Sequence, residues 1–402
     1  MSDEQRSFRL PRVVKSLGWV ALFTDVATEM VYPLLPVFLR SIGAGAQALG
    51  LMEGVAESVS AAVKWFSGRS SDARARKPFV LFGYALATVV RPLLAVATSA
   101  WHVIAIRTTD RIGKGIRSAP RDALLAHSVA PEWRGRAFGF NSMMDNTGAA
   151  IGPLLAFALV RGLGWPLRTV FALTIVPGLF AVGTILWGVQ DPAPAVEQTR
   201  TATPVTAGQA VALPGRLRAY LALVALFTLG ASADSFLMLR MSDLGLAAGW
   251  LPVAWISLNA SKALLNIPGG KASDRLGRWR TQVAGWVVYA AAYALFPMTR
   301  SIALTWALLV AYGGYYGLTE GGEKALVADL IPPQLRGRAY GALHAVTGLA
   351  VLPANAVFGA LYASHVQLAF WASAACACAA AVGLALLAPR SVATTPGASA
   401  SP

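Results

Sequence analysis

Apolar residues run along this chain in long blocks separated by short polar breaks. The blocks fall at roughly 16–40, 47–69, 78–98, 101–127, 136–160 and 167–189, then at 219–240, 249–270, 281–299, 302–330, 337–362 and 366–388. A helix crossing a bilayer needs about 20 mainly apolar residues. The blocks lack the two-residue alternation of membrane β-barrel strands. The pattern predicts an all-α membrane protein with twelve transmembrane helices. Between the sixth and seventh blocks lies a stretch rich in Pro, Thr and Ala, residues 191–218, which reads as a solvated cytoplasmic linker. It divides the chain into two predicted six-helix bundles, 1–190 and 219–402.

Composition agrees with this reading. Of the 402 residues, 56% are hydrophobic and 13% charged, against about 25% charged in soluble domains. The first block follows Arg6, Arg9, Arg12 and Lys15 and holds Asp25 and Glu29, so it reads as a spanning helix rather than a cleaved signal. The net charge of +15 lies largely in short loops. That placement argues for topology rather than nucleic-acid binding. Lys and Arg gather at 6–15, 69–77, 134–136, 216–218, 271–280 and 336–338, while the opposite loops hold scattered cations such as Arg40, Arg161, Arg240 and Arg300. By the positive-inside rule both termini are cytoplasmic. Cys376 and Cys378 are too close in one apolar segment to suggest a disulfide framework or a metal site. No cofactor is expected. The "GKG" at Gly113 lacks the rest of a nucleotide-binding loop, so an enzyme is not expected.

The two halves are related. "ALLAHSVAPEWRGRAFG" from Ala123 matches "ALVADLIPPQLRGRAYG" from Ala325, and "GRSSDARARK" from Gly68 matches "GKASDRLGRWR" from Gly270, both at an offset of 202 residues. A six-plus-six repeat suits a transporter with its site between the halves. Twelve helices with this loop after the second helix of each half resemble the major facilitator superfamily (MFS), whose loop motif is G-x-x-x-D-[RK]-x-G-[RK]-[RK]. The second copy keeps Gly270, Asp274, Arg275, Gly277 and Arg278. The first keeps Gly68, Asp72, Arg76 and Lys77 but has Ala73 and Ala75 where a base and glycine are preferred. "GAAIGPLLAF" in the fifth block resembles the G-x-x-x-G-P-x-x-G-G signature of proton-coupled antiporters. Gly148, Gly152 and Pro153 match, and Ala156 and Phe157 replace the last two glycines. Small residues four apart also let helices pack closely.

The most polar part of any block is "RTTDRIGKGIRSAPRD", 107–122. On a helix, Arg107, Asp110, Lys114, Arg117 and Arg121 form one stripe. A charge at the bilayer centre costs about 2.5–3.5 kcal/mol on the mild insertion scale, so the stripe must face other helices or water. The family fold implies the same, since its fourth helix lines the central cavity. The matching helix of the second half carries Glu320, Glu323 and Lys324 among Tyr312, Tyr315 and Tyr316, so one half of the cavity is basic and the other mixed. The tyrosines either stack on a substrate or pack.

Other intramembrane charges are Asp25 with Glu29, Glu53 with Glu57, Lys64, Asp145, Asp234 and Lys262. Carboxylates one turn apart resist joint ionisation, which suits proton carriers. A static network of Glu53 or Glu57 with an arginine of the fourth span is the alternative. The expected assignment is proton coupling at Asp25, Glu29, Glu53 and Glu57, and substrate binding at Arg107, Asp110, Lys114, Arg117, Asp145, Glu320 and Glu323. The resemblance implies a cytoplasmic gate. Asp72 would dock at the start of span eleven near Arg336, and Asp274 at the start of span five near Arg134. Capping of their own loops is the alternative. The expected function is proton-coupled efflux of a small anionic or zwitterionic compound across a bacterial inner membrane. Import of an organic anion and a non-transporting sensor remain open.

Overall fold

The computed structural model describes residues 10–71, 75–130, 133–190, 214–331 and 336–388. Every regular element among them is a helix. The helices join end to end into twelve rods. The first half comprises Arg12–Ser41, Ala46–Ser71, Arg76–Val96, Ala100–His127, 134–162 and Leu167–Gly188; the second comprises Gly215–Asp243, 248–276, 278–298, Ile302–Asp329, Arg336–Ser364 and Val366–Leu387. Eight rods contain a stretch apolar and long enough to cross a membrane. The second, fourth, eighth and ninth do not stand out by composition: the second carries Glu53, Glu57 and Lys64, the fourth the charged stripe, the eighth Lys262 and Lys271, and the ninth Arg278, Arg280 and Gln282. They are nonetheless long. Span two has 26 residues, which rise about 39 Å as an α-helix.

The packing repeats between halves. Span one packs on five and six, two on four, and three on four and six; seven packs on eleven and twelve, eight on ten, and nine on ten and twelve. Adding six to each number of the first set gives the second. Across the halves, two packs on eleven and five on eight, and exchanging the halves turns one contact into the other. The twofold relation visible in the sequence motifs is therefore present in the helix neighbours too.

Spans one and seven, expected as continuous helices, are broken, and span six is interrupted at Thr174. Span one runs Arg12–Glu29, makes a 3₁₀ turn at Tyr32–Leu34, and resumes at Leu35–Ser41. Pro33 and Pro36 remove backbone donors there and sit in the first turn of the segment that follows, where proline is tolerated. Span seven stops at Gly230 and resumes at Ser235, with Ala231 extended at φ −74°, ψ 146°. The N–H groups exposed by that break find side chains: Ser232 donates to the Tyr289 hydroxyl at 3.3 Å, and Ala233 to Asn355 Oδ1 at 2.8 Å. Buried backbone donors require such partners.

The halves touch extensively at the end opposite the basic loops. Arg40 pairs with Asp243, and the Tyr362 hydroxyl donates to the same carboxylate at 2.6 Å. Nearby, Phe157 meets Trp250 with ring centroids 5.3 Å apart, and Tyr32 meets Trp255 at 4.8 Å. Deeper in, Ser58 donates to the Gly348 carbonyl at 2.8 Å.

Candidate transport site

Span four carries its charges on one uninterrupted helix, Ala100–His127. Arg107, Asp110, Arg111 and Arg117 are all buried, so this part of the stripe faces protein, as the cost of lipid exposure requires. The stripe divides between neighbours. Asp110 and Arg117, two turns apart on one edge, face span three. Asp110 accepts from Arg91 Nη2 at 2.7 Å and from Arg107 Nη1 at 3.4 Å. Arg117 donates to the Gly83 carbonyl at 3.3 Å and lies 4.2 Å from the Tyr84 ring centre. This corrects the expectation that Arg117 lines the cavity beside Lys114. Seven residues separate it from Asp110, so the two share an edge directed at span three.

Arg111, on the other edge, pairs with Glu57 of span two at 2.9 Å. Arg107 reaches over the Tyr32 ring, 5.0 Å from its centre. Lys114 is accessible, and the charges acting on it are those of Arg111, Glu57, Lys64 and Asp25. Asp145 accepts from Asn141 at 3.0 Å and acts electrostatically on Asp25.

The glycines of the antiporter-like motif lie against the acids of span one. A Cβ on Gly148 would strike the Leu22 carbonyl oxygen and come within 3.0 Å of the Asp25 Cβ; on Gly152 it would lie 2.6 Å from the Val26 carbonyl oxygen and 3.0 Å from the Glu29 Cβ. The missing side chains let span five seat directly on the turn bearing Asp25 and Glu29. Pro153 follows within the same helix, which ends in a π-turn at Ala158–Gly162. Glu29 accepts from the Trp255 indole at 2.5 Å.

The second half contributes a cluster that the expected site did not include. Asp234, at the break in span seven, pairs with Lys262 at 2.7 Å and accepts from the Tyr312 hydroxyl at 2.8 Å and the Tyr316 hydroxyl at 3.1 Å. The Lys262 ammonium also sits 3.8 Å from the Tyr316 ring centre. Two of the three tyrosines of span ten are thus hydrogen-bonded to a buried acid. Tyr32, Glu53, Glu57, Asp234, Tyr316 and Asn355 line a cavity of about 250 Å³ between the halves.

Glu323 lies instead near Tyr220 and Tyr315. Asp72 lies outside the described residues, as do the side chains of Asp274, Arg134, Arg336 and Glu320. Sequence reasoning missed Arg91, Trp255 and Asn355. Arg91 had a usable signal, a lone cation in the apolar stretch "ATVVRPLL", which the rule for intramembrane charges singles out.

Comparison with known proteins agrees with this architecture. Residues 17–319 and 242–402 match the family described as the Major Facilitator Superfamily. An uncharacterized MFS-type transporter of Methanocaldococcus jannaschii is 30% identical, covering 92% of this chain and 93% of the relative. The multidrug resistance protein MdtH of Proteus mirabilis is 26% identical over 78% of this chain and 77% of its own. Among solved structures, the nucleoside transporter NupG superposes with a TM-score of 0.77 at 12% identity, covering 93% of this chain and 98% of that one. Together with the repeated packing of its helices, these matches show that the chain belongs to the Major Facilitator Superfamily and is a multi-pass membrane transporter.

Proposed function

We propose that this transporter works in a bacterial cytoplasmic membrane, with both termini in the cytoplasm, and exports a small anionic or zwitterionic organic compound in exchange for protons. The observation that carries the reading is the seating of Gly148 and Gly152 against Asp25 and Glu29. It joins the motif resembling that of antiporters to the pair of acids suited to carry protons. Export is further supported by the resemblance to multidrug resistance proteins.

Among the described residues the contacts between the halves gather away from the basic loops, which supports reading this orientation as inward-facing. A proton on Asp25 relieves its repulsion from Asp145 and Glu29, the acids that act on it. Glu29 carries the link to conformation. As a carboxylate it accepts from Trp255 across the halves. Hydrogen bonds to charged groups contribute about 1.5–3 kcal/mol and neutral ones about 0.5–1.5. Losing its proton to the cytoplasm therefore strengthens outer closure, and the carrier waits for substrate from inside. Lys114 and Arg107 attract the anionic group, while Glu57 is occupied by Arg111.

The test is transport in proteoliposomes under an imposed pH gradient, with a panel of organic anions, zwitterions and cations. Asp25→Asn and Glu29→Gln should abolish gradient-driven accumulation and leave substrate exchange largely intact, because exchange moves no net proton. If both variants still concentrate substrate, neither acid is the coupling site.

A further inference from the structure

The cavity beside the break in span seven has an uneven charge balance. Three carboxylates line it. Glu57 is matched by Arg111 and Asp234 by Lys262. Glu53 has no cation within ion-pair distance among the described residues. It is only 2% exposed, and its Oε1 has no hydrogen-bond partner. The Ser235 hydroxyl lies alongside and is the side chain that can donate to it. Arg107 is 4% exposed and spends one nitrogen on Asp110, leaving Nε and Nη2 without partners. Buried charged groups are costly unless paired and hydrogen-bonded. Here two opposite charges are left incomplete in the same neighbourhood, and Tyr32 adjoins both: it lines the cavity with Glu53 and lies under the Arg107 guanidinium.

Each incomplete group has a chemical complement. A buried carboxylate with no ion-pair partner suits an ammonium group. The open edge of a guanidinium suits a carboxylate, which it can hold through two parallel bonds. Arg107 and Arg111 act on Glu53 only from beyond ion-pair distance; a simple anion on Arg107 would offset part of that help, and a simple cation on Glu53 would leave the free nitrogens of Arg107 unfilled. One small molecule carrying both groups completes both.

We propose that this cavity binds a zwitterion, with its ammonium group on Glu53 and its carboxylate reaching past Tyr32 to the unpartnered nitrogens of Arg107, which lies next to Tyr32 but outside the cavity lining. The inference narrows the substrate class of the export reading and rests on it for the purpose of the site. Glu53, which sequence grouped with the proton carriers, becomes a substrate anchor, and coupling falls to Asp25 and Glu29.

The test is calorimetric titration of the purified full-length protein with a series of α-amino acids of increasing size, each beside its N-acetyl and carboxamide derivatives. At least one free amino acid should bind about tenfold or more tightly than both of its derivatives, a difference of about 1.4 kcal/mol. Glu53→Gln should erase the preference over the N-acetyl form. Arg107→Lys, which keeps a cation beside Asp110, should erase the preference over the carboxamide. The proposal is overturned if no amino acid of the series binds, if a derivative binds as well as its parent, or if both variants keep the wild-type preference. Proton-driven export of an N-acetyl anion without amino-acid binding would overturn this site and leave the export reading standing. A selective zwitterion site in a protein whose transport ignores the pH gradient would do the opposite.

Discussion

The indole N–H of Trp255 meets a carboxylate oxygen of Glu29 at 2.5 Å, joining span eight of one half to span one of the other. Trp255→Phe keeps an aromatic ring against Tyr32 and deletes this bond. A bond to a carboxylate contributes about 1.5–3 kcal/mol, so the outer side should open more than about tenfold more often. Labelling of a cysteine placed in the outer half of the cavity, with Cys376 and Cys378 replaced, should quicken accordingly. An unchanged rate would remove this bond from the outer closure.

The outermost contact should be weaker. Arg40 is 48% exposed in its pair with Asp243, and exposed ion pairs contribute about 0–1 kcal/mol. Arg40→Ala should lengthen the distances between spin labels on the outer ends of spans one and seven in only a small fraction of molecules. Exchanging the charges, Arg40→Asp with Asp243→Arg, should restore the short distance. Failure of the exchange would mean that the hydrogen bond from Tyr362, whose acceptor the exchange removes, matters more than the ion pair.

Asp110 holds two cations, Arg91 and Arg107. Asp110→Asn strands both in a buried setting, where breaking a pair costs about 3–5 kcal/mol. Arg91→Met leaves Asp110 with Arg107 and should cost less. Thermal unfolding in detergent should rank wild type above Arg91→Met and Arg91→Met above Asp110→Asn. The reverse order would show that Arg91, not Asp110, organises the cluster.

Gly148→Ala places a methyl group against the Leu22 carbonyl, whereas a Cβ on Gly139 of the same helix meets nothing within 4 Å. Overpacking costs about 1–3 kcal/mol. Gly148→Ala should lower both thermal stability and pH-driven transport, with Gly139→Ala close to wild type in both. Equal effects would trace the loss to helix five in general rather than to its seat on span one.

The cytoplasmic gate proposed from the loop motif has its own test. An acid at a helix N-terminus gains about 0.3–1 kcal/mol, or up to about 2 when partly buried. Asp72→Asn and Asp274→Asn should each favour the inward-facing state by a few-fold and speed cysteine labelling in the cytoplasmic half of the cavity. Slower or unchanged labelling in both would leave these acids to cap their own loops.

The span pattern was legible because membrane crossing is a local requirement, met within each block of about 20 residues. The family was legible in loop residues whose spacing repeats. What the chain does with its charges was less so. The spacing of Arg107, Asp110, Lys114 and Arg117 placed them on one stripe, but it does not say which neighbour meets each edge: Asp110 and Arg117 turn to span three, and Arg111, about 100° around the axis from Asp110, turns to Glu57. Those partners lie on other helices and carry no periodic signal. The break in span seven was hidden for the same reason, since the groups that satisfy it come from residues 57 and 122 positions away. Asp234 and Lys262 were visible as intramembrane charges, but their union with Tyr312 and Tyr316 depends on tertiary packing.

The two peptide groups at that break are fastened to neighbours rather than to their own helix. Ser232 is held by span nine and Ala233 by span eleven. A rotation of Ser235–Asp243 against Gly215–Gly230 would therefore stretch the hydrogen-bond ladder of neither, and Tyr289 and Asn355 would be the bearing for it. Asp234 sits at the first residue beyond that bearing, so a small rotation there translates directly into a change in how its carboxylate meets Lys262 and the two hydroxyls. Mechanical leverage and charge pairing are thus located on the same few residues.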